Sequence, residues 1–236
     1  MKAVIIAAGT GSRLWPHTNQ VPKTLLPCGQ GTILSQIMRN FVTIGITEFV
    51  IVVGFGAKQI VEYVATAGLG AHVTFVENPD WHRGNGLSVH LVRGMTGVES
   101  FLLSMSDHLV APPALARLMN AQSDHNLLLV DPRIDNVFDL PDATKVLLEG
   151  AHITSIGKDL VDFNAIDCGI FRLDERFFEA MGCAIRQGQE SISEGVHRLI
   201  AARAFGGVLL PEGSHWIDID TPEAYAYALA HRQWYM

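Results

Sequence analysis

Two cations stand out in this chain because of what surrounds them. Arg13 closes the run Gly9-Thr10-Gly11-Ser12-Arg13, and Lys23 comes ten residues later, directly after Pro22. Glycine lets the backbone approach a phosphate closely, and successive N–H groups in such a turn form a concavity that binds anions. Ala7, Ala8, Gly9, Thr10, Gly11, Ser12, Arg13 and Lys23 therefore read as a polyphosphate site, with both cations in solvent-facing loops. Two better-known phosphate motifs fit worse. A Walker loop places its lysine beside the second glycine, and the dinucleotide fingerprint wants a third glycine or alanine where Leu14 stands.

Carboxylates complete the chemistry. Asp107 follows the apolar run Phe101 to Met105, and Trp216-Ile217-Asp218-Ile219-Asp220 precedes Thr221-Pro222-Glu223. Magnesium binds triphosphates through one or two carboxylates plus phosphate oxygens, and manganese can replace it. Asp107 with Asp220 would supply that pair. Asp218 shares a face with Asp220 in an extended segment, so either can be the second ligand. The competing roles are ordinary ones: a loop cap for Asp107, a helix N-terminal charge for Asp220. His108 and Cys168 read as wall residues. Gly86-Leu87-Ser88-Val89-His90 lacks the closing glycine of a nucleophile elbow.

These groups need a scaffold that brings them to one edge. Ala3 to Ala8 is a short apolar run, suited to a strand buried on both faces. Thr32 caps a helix through Ile44 that Gly45 stops, and Phe49 to Val53 is a second strand. A helix marked by Ile60, Tyr63 and Val64 leads to a strand over His72 to Val76. After the polar loop Glu77 to Gly86, a helix carries Leu87, Leu91 and Val92, and Phe101 to Met105 is the fourth strand. The alternation predicts a parallel sheet with helices on both faces and ligands at the carboxyl ends of its strands. Pro112 and Pro113 open a short helix before a strand over Asn126 to Val130. From about residue 133 the texture changes. Lys145 to Leu148 and His152 to Ile156 read as an antiparallel hairpin, and Ala165 to Leu173 as a strand. A helix over Asp174 to Arg186, another capped by Ser191 or Ser193, a strand over Val208 to Leu210 and a helix opened by Thr221-Pro222 finish the chain.

With 236 residues, 48% hydrophobic, the chain can bury one fairly large core, and residues 1–236 read as one α/β domain with an antiparallel lid-like half. No apolar run is long enough to span a membrane, and Met1-Lys2 runs straight into the first strand, so neither a span nor a leader is expected. Cys28, Cys168 and Cys183 are odd in number and far apart, which suits a reducing, cytoplasmic setting without disulfides. A net charge of -7 with no basic run makes nucleic acid an unsuitable partner.

The pair of half-motifs, Ala-Ala-Gly-x-Gly-Ser-Arg-Leu and Pro-Lys-x-Leu-Leu-Pro, resembles the signature of nucleotidyltransferases that activate sugar and alcohol phosphates. Arg83-Gly84-Asn85-Gly86-Leu87-Ser88, Met105-Ser106-Asp107-His108, Ala143-Thr144-Lys145-Val146, Ile156-Gly157-Lys158-Asp159-Leu160, Ala165-Ile166-Asp167-Cys168-Gly169 and Trp216 to Glu223 narrow the resemblance to the inositol-1-phosphate cytidylyltransferases. That resemblance implies a Rossmann-like three-layer sandwich on a mostly parallel mixed sheet. It implies CTP and an alcohol phosphate as substrates, with magnesium as cofactor. Gly84, Asn85 and Ser88 would face the cytosine, while Lys145, Lys158 and Asp167 would form the acceptor pocket. Choline phosphate, an aminoalkyl phosphonate or a sugar 1-phosphate stay open as acceptors. Within residues 143–169 only Phe163 is aromatic, which suits a polyol better than a quaternary ammonium. Gly29-Gln30-Gly31-Thr32 departs from the Gly-x-Lys/Arg-Pro of the wider family. Many inositol enzymes are fused to a membrane-embedded transferase, so a separate one is expected to use the product.

Overall fold

The computed structural model describes residues 1–97 and 99–236. Strand β1 (Ala3–Ala7) is buried at every position. Its residues serve two cores by turns: Ala3, Ile5 and Ala7 face one, Val4 and Ile6 the other. A strand covered on both faces has no place for a polar side chain, which is why the run is apolar throughout. A two-residue hairpin of β2 (Pro27–Cys28) and β3 (Gly31–Thr32) leads to α1 (Ile33–Thr43). Then come β4 (Glu48–Val53), α2 (Ala57–Thr66), β5 (His72–Glu77), α3 (Asn85–His90) and β6 (Phe101–Met105). The middle of the chain holds β7 (His108–Val110), α4 (Pro112–Met119), β8 (Asn126–Asp131), β9 (Lys145–Glu149) and β10 (His152–Gly157). β11 (Ala165–Leu173), α5 (Glu175–Ile185), α6 (Ile192–Ala201), β12 (Phe205–Leu209), β13 (Trp216–Asp218) and α7 (Pro222–Ala230) follow.

The main sheet has nine strands in the order β5-β4-β1-β6-β11-β8-β12-β10-β9. Its first four strands are parallel. β11 runs antiparallel between β6 and β8, and β12 is parallel to β8. The antiparallel half is thus a continuation of the same sheet. It also closes on itself, because β9 returns to pair with Ala165 and Ile166 at the start of β11. Side chains of α1, α2, α4 and α7 join one core and those of α3, α5 and α6 the other, giving three layers. Among the described residues, no helix is long and apolar enough to cross a membrane. Cys28 and Cys168 are buried, Cys183 is partly so, and all three are free.

Several elements differ from the sequence expectation for identifiable reasons. The helix after Gly86 ends at His90, so Leu91 lies outside it and is exposed. β12 begins at Phe205 because Gly206 and Gly207 are strand residues pressed against the hairpin: a Cβ on Gly207 would sit 2.6 Å from Leu148 Cδ2. Asp107 ends no simple strand. The chain turns there and returns as β7, which pairs with β13 and sets Asp218 opposite His108. Cys168 is fully buried in a core rather than on a pocket wall.

Thr32 forms the expected cap and more. Its hydroxyl accepts from the Ser35 amide at 3.2 Å, while its own amide donates to Ser35 Oγ at 2.8 Å. Thr32→Ala removes half of that box and should cost about 1 kcal/mol of stability in urea denaturation. An unchanged midpoint would show that packing alone holds the start of α1.

Candidate active site

The first glycine turn is shaped by one lysine. Gly11 has φ +64, and a Cβ there would run into Lys23 Cβ, so the second glycine is needed both for the turn and for the lysine to pass over it. Thr18 pins the turn by donating to the Gly11 carbonyl at 3.0 Å. Contrary to expectation only Arg13 is solvent-facing: its side chain is 54% exposed against 9% for Lys23. Lys23 is drawn inward because carboxylates meet it there. Its Nζ donates to Asp107 Oδ2 at 2.7 Å and to Asp220 Oδ1. Arg13 reaches the other oxygen of Asp220 and, with Nη1, Asp142 Oδ2 at 2.7 Å. Lys158 Nζ donates to Asp142 Oδ1, also at 2.7 Å.

At the inner end, His108 Nδ1 lies 2.6 Å from Asp107 Oδ1 and 3.8 Å from Asp218 Oδ1. Signs therefore alternate along one unbroken chain: Lys158, Asp142, Arg13, Asp220, Lys23, Asp107, His108, Asp218. Burial works against each inner charge, but the neighbours outweigh it. Asp107 and Asp220 hold the Lys23 ammonium above its ordinary pKa, and Lys23 and His108 hold the Asp107 carboxyl far below its own. Asp218 and Asp107 push His108 up to about 9. At the end of the chain burial prevails, and with Asp107 and Asp220 nearby Asp218 rises to about 7. Trp216 stacks on His108 at 6.1 Å between ring centres, and its indole N–H donates to the buried Asp131 at 3.0 Å. Gly169, at φ +73, leaves room for His108, whose ring a Cβ would meet.

The residues present fit a divalent ion. Asp107, His108 and Asp218 each offer a ligand atom within 4.8 Å of the others. Among the described residues, Asp218 Oδ1 is buried without a hydrogen-bond partner, an oxygen that a hard cation would satisfy. Asp220, by contrast, has both oxygens on cations.

A cleft of about 660 Å³ opens beside this chain, lined by Arg13, Asn85, Asp107, Lys158, Asp167, Asp218 and Asp220 among others. Of the residues expected at the base, Asn85 lines it, with Oδ1 already capping α6 through the Ile192 amide at 2.9 Å. Gly84 and Gly86 press on Glu190; a Cβ on Gly86 would be 2.6 Å from the Glu190 carbonyl. Ser88 is buried and accepts from Asn78 Nδ2 at 2.9 Å. In the antiparallel half, Asp167 faces the cleft, pushed up to about 6 by burial despite a bond from the Gly169 amide. Lys145 is buried outside the lining and donates to the Pro141 carbonyl at 3.0 Å. The cleft does have an aromatic wall, and it comes from elsewhere than residues 143–169: Phe138, His215, Trp216, Tyr227 and Trp234. Phe138 and Tyr227 lie 4.8 Å apart, His215 and Trp234 4.6 Å. Of these, sequence reasoning marked only Trp216; it missed the other four, and Asp131 and Asp142 with them, because nothing local marks them.

Residues 3–150 match the family model of the MobA-like NTP transferase domain. The chain belongs to that family. Its relatives point the same way. It is 34% identical over 94% of its length to a protein of Aquifex aeolicus named bifunctional IPC transferase and DIPP synthase, and 33% identical to the one of Rubrobacter xylanophilus. The chain spans about half the length of these curated relatives, 49% in both cases. Among solved structures, the inositol-1-phosphate CTP transferase from T. maritima superposes with a TM-score of 0.87 at 27% identity, covering 97% of this chain and 94% of the other.

The raised Asp218 carboxyl gives a test. A carboxyl lifted from 3.8 to about 7 in the folded state resists ionisation, so folding loses stability as pH climbs through that window. In chelator, the melting temperature of the parent should fall between pH 4.5 and 7.5. Asp218→Asn, which does not ionise, should flatten that fall, removing on the order of 2 kcal/mol of the pH-dependent loss of stability because solvent screens a partly exposed carboxylate. Calorimetry showing equally steep profiles would refute this placement of the charge.

Proposed function

We propose that the transferase moves CMP from CTP to an alcohol phosphate, foremost inositol 1-phosphate, releasing pyrophosphate. The observation that carries the chemistry is the chain of alternating charges, which sets Lys23 against the metal-fitting Asp107 and joins it through Asp220 to Arg13. An oxygen of the acceptor phosphate attacks the α-phosphorus, and the bond to the β-phosphate breaks. The acceptor phosphate has a second pKa near ~6, so it attacks as the dianion and needs no general base. Catalysis then rests on alignment and charge neutralisation. Arg13 and the amides of the glycine turn would hold the departing pyrophosphate. Lys23 spends two of its three N–H donors on Asp107 and Asp220, and the third would go to the α-phosphate. Magnesium or manganese on Asp107 with Asp218 or Asp220 would supply charge withdrawal at that phosphate. Residues 1–236 would act as one unit, and a membrane transferase would consume the product.

The acceptor assignment is supported by the relatives and by Lys158 and Asp167 on the cleft. A polyol needs such donors and acceptors, and an analogue lacking its hydroxyls leaves buried polar groups unmatched. A second reading, choline phosphate, draws on the aromatic wall, since quaternary ammonium groups bind ring faces.

Arg13→Ala should lower turnover of CTP by at least ~10²-fold with little change in melting temperature. Lys23→Ala should lose as much activity and also about 3 kcal/mol of stability, because Asp107 and Asp220 lose the buried cation they share and keep only His108 and Arg13. Two fully active variants would remove the phosphate site from this turn.

Pyrophosphate release, measured with magnesium across four nucleotides and several acceptors, tests the substrates. Inositol 1-phosphate with CTP should exceed choline phosphate by at least ~10²-fold in kcat/KM. A reversed order would transfer the acceptor role to the aromatic wall.

A further inference from the structure

Asp142 has no part in the chemistry outlined above, yet it holds both of that chemistry's outer cations. Its carboxylate accepts from Arg13 at one oxygen and from Lys158 at the other, both at 2.7 Å. Arg13 belongs to the glycine turn and Lys158 follows β10, so a single carboxylate spans the two sides of the cleft. On the reading given above, Arg13 awaits the nucleotide's phosphates and Lys158 the acceptor's phosphate. A carboxylate bridging two cations places its oxygens much as a phosphate would.

The backbone beneath Asp142 is pinned. The amides of Asp142 and Ala143 donate to the Asp139 carbonyl at 3.2 and 3.0 Å, and buried Lys145 holds the Pro141 carbonyl at 3.0 Å. This gives Lys145 a task, though not one on the substrate. With the loop fixed, the carboxylate leaves its partners by rotating about its own χ1, and one rotation breaks both ion pairs together. The pairs are also weak enough to break. The side chains of Arg13, Asp142 and Lys158 are 54%, 43% and 52% exposed, and exposed ion pairs contribute little.

We propose that Asp142 is a shared counter-ion that couples the two substrate sites. The phosphates of a nucleoside triphosphate displace it from Arg13, which frees Lys158, and a phosphomonoester displacing it from Lys158 frees Arg13. Each substrate therefore bears the cost of displacement only when it binds first, and the coupling is reciprocal. The inference rests on the proposed roles of Arg13 and Lys158.

Calorimetric titration with α,β-methylene CTP, with and without saturating inositol 1-phosphate and always with magnesium, tests it. In the parent, inositol 1-phosphate should tighten the nucleotide analogue about threefold to tenfold, the scale of two exposed ion pairs. Asp142→Asn, and Asp142→Ala as a second variant, should bind either ligand alone more tightly by a similar factor and show no coupling. Weaker binding in these variants, or coupling that survives in them, overturns the proposal. Arg13→Ala and Lys158→Ala separate the premise from the inference. If Arg13→Ala leaves the analogue's affinity unchanged and Lys158→Ala leaves that of inositol 1-phosphate unchanged, the site reading itself has failed. If both lose affinity while Asp142→Asn gains none, the failure belongs to Asp142.

Discussion

A buried ammonium between two carboxylates is the constraint on which the rest of this molecule depends. Lys23 is almost wholly out of solvent, and such a charge is tolerable only with opposite charges at contact. Asp107 arrives from the turn after β6, the last of the parallel strands, and Asp220 from the segment before the last helix. Lys23 itself arrives because Gly11 lacks a side chain. Three distant parts of the chain are thus committed to one place by electrostatics before any substrate is considered. Arg13 and Asp142 extend the pattern outward to solvent, His108 and Asp218 inward. The inner links are stable because they are dry, and the outer ones exchangeable because they are wet.

This division also sets what each half of the sheet contributes. The parallel strands present the glycine turn and Asp107 at their carboxyl ends, where open α/β sheets place their ligands. The antiparallel strands supply Lys158 and Asp167, and the C-terminal segment supplies the aromatic wall and the second source of carboxylates. Asp131 joins these parts. It anchors Trp216, which covers His108, which faces Asp107, so a buried carboxylate at the end of β8 helps fix the geometry of another at the end of β6.

Much of this was legible in the sequence wherever a local rule applies. The apolar run before Gly9, the caps at Thr32 and Thr221, and the positions of Arg13, Lys23 and Asp107 follow from burial, capping and phosphate chemistry within short windows. What escaped depends on pairs far apart in the chain. The ladder of β7 with β13 is three residues long, too short for an alternation to show, and it decides that Asp218 stands by His108. Burial of Lys23 and Lys145 was hidden because lysine is ordinarily a surface residue, and only the partners explain the exception. The composition of one segment hides the aromatic wall, which draws on residues from Phe138 to Trp234. Gly206 and Gly207 concealed the start of a strand through a closeness to the hairpin that no propensity records.

The late position of β13 bears on how the molecule is made. A ribosome delivers Lys23 and Asp107 long before Trp216, Asp218 and Asp220 emerge. Until then the partly built chain holds a lysine with one of its two counter-charges and a β7 without its partner strand. Domains fold largely as they are synthesised. Here the site is finished only after the scaffold, because Trp216 to Asp220 follow the last strand of the main sheet. A chain cut before Trp216 would therefore keep every strand of the main sheet and lack both Asp218 and Asp220.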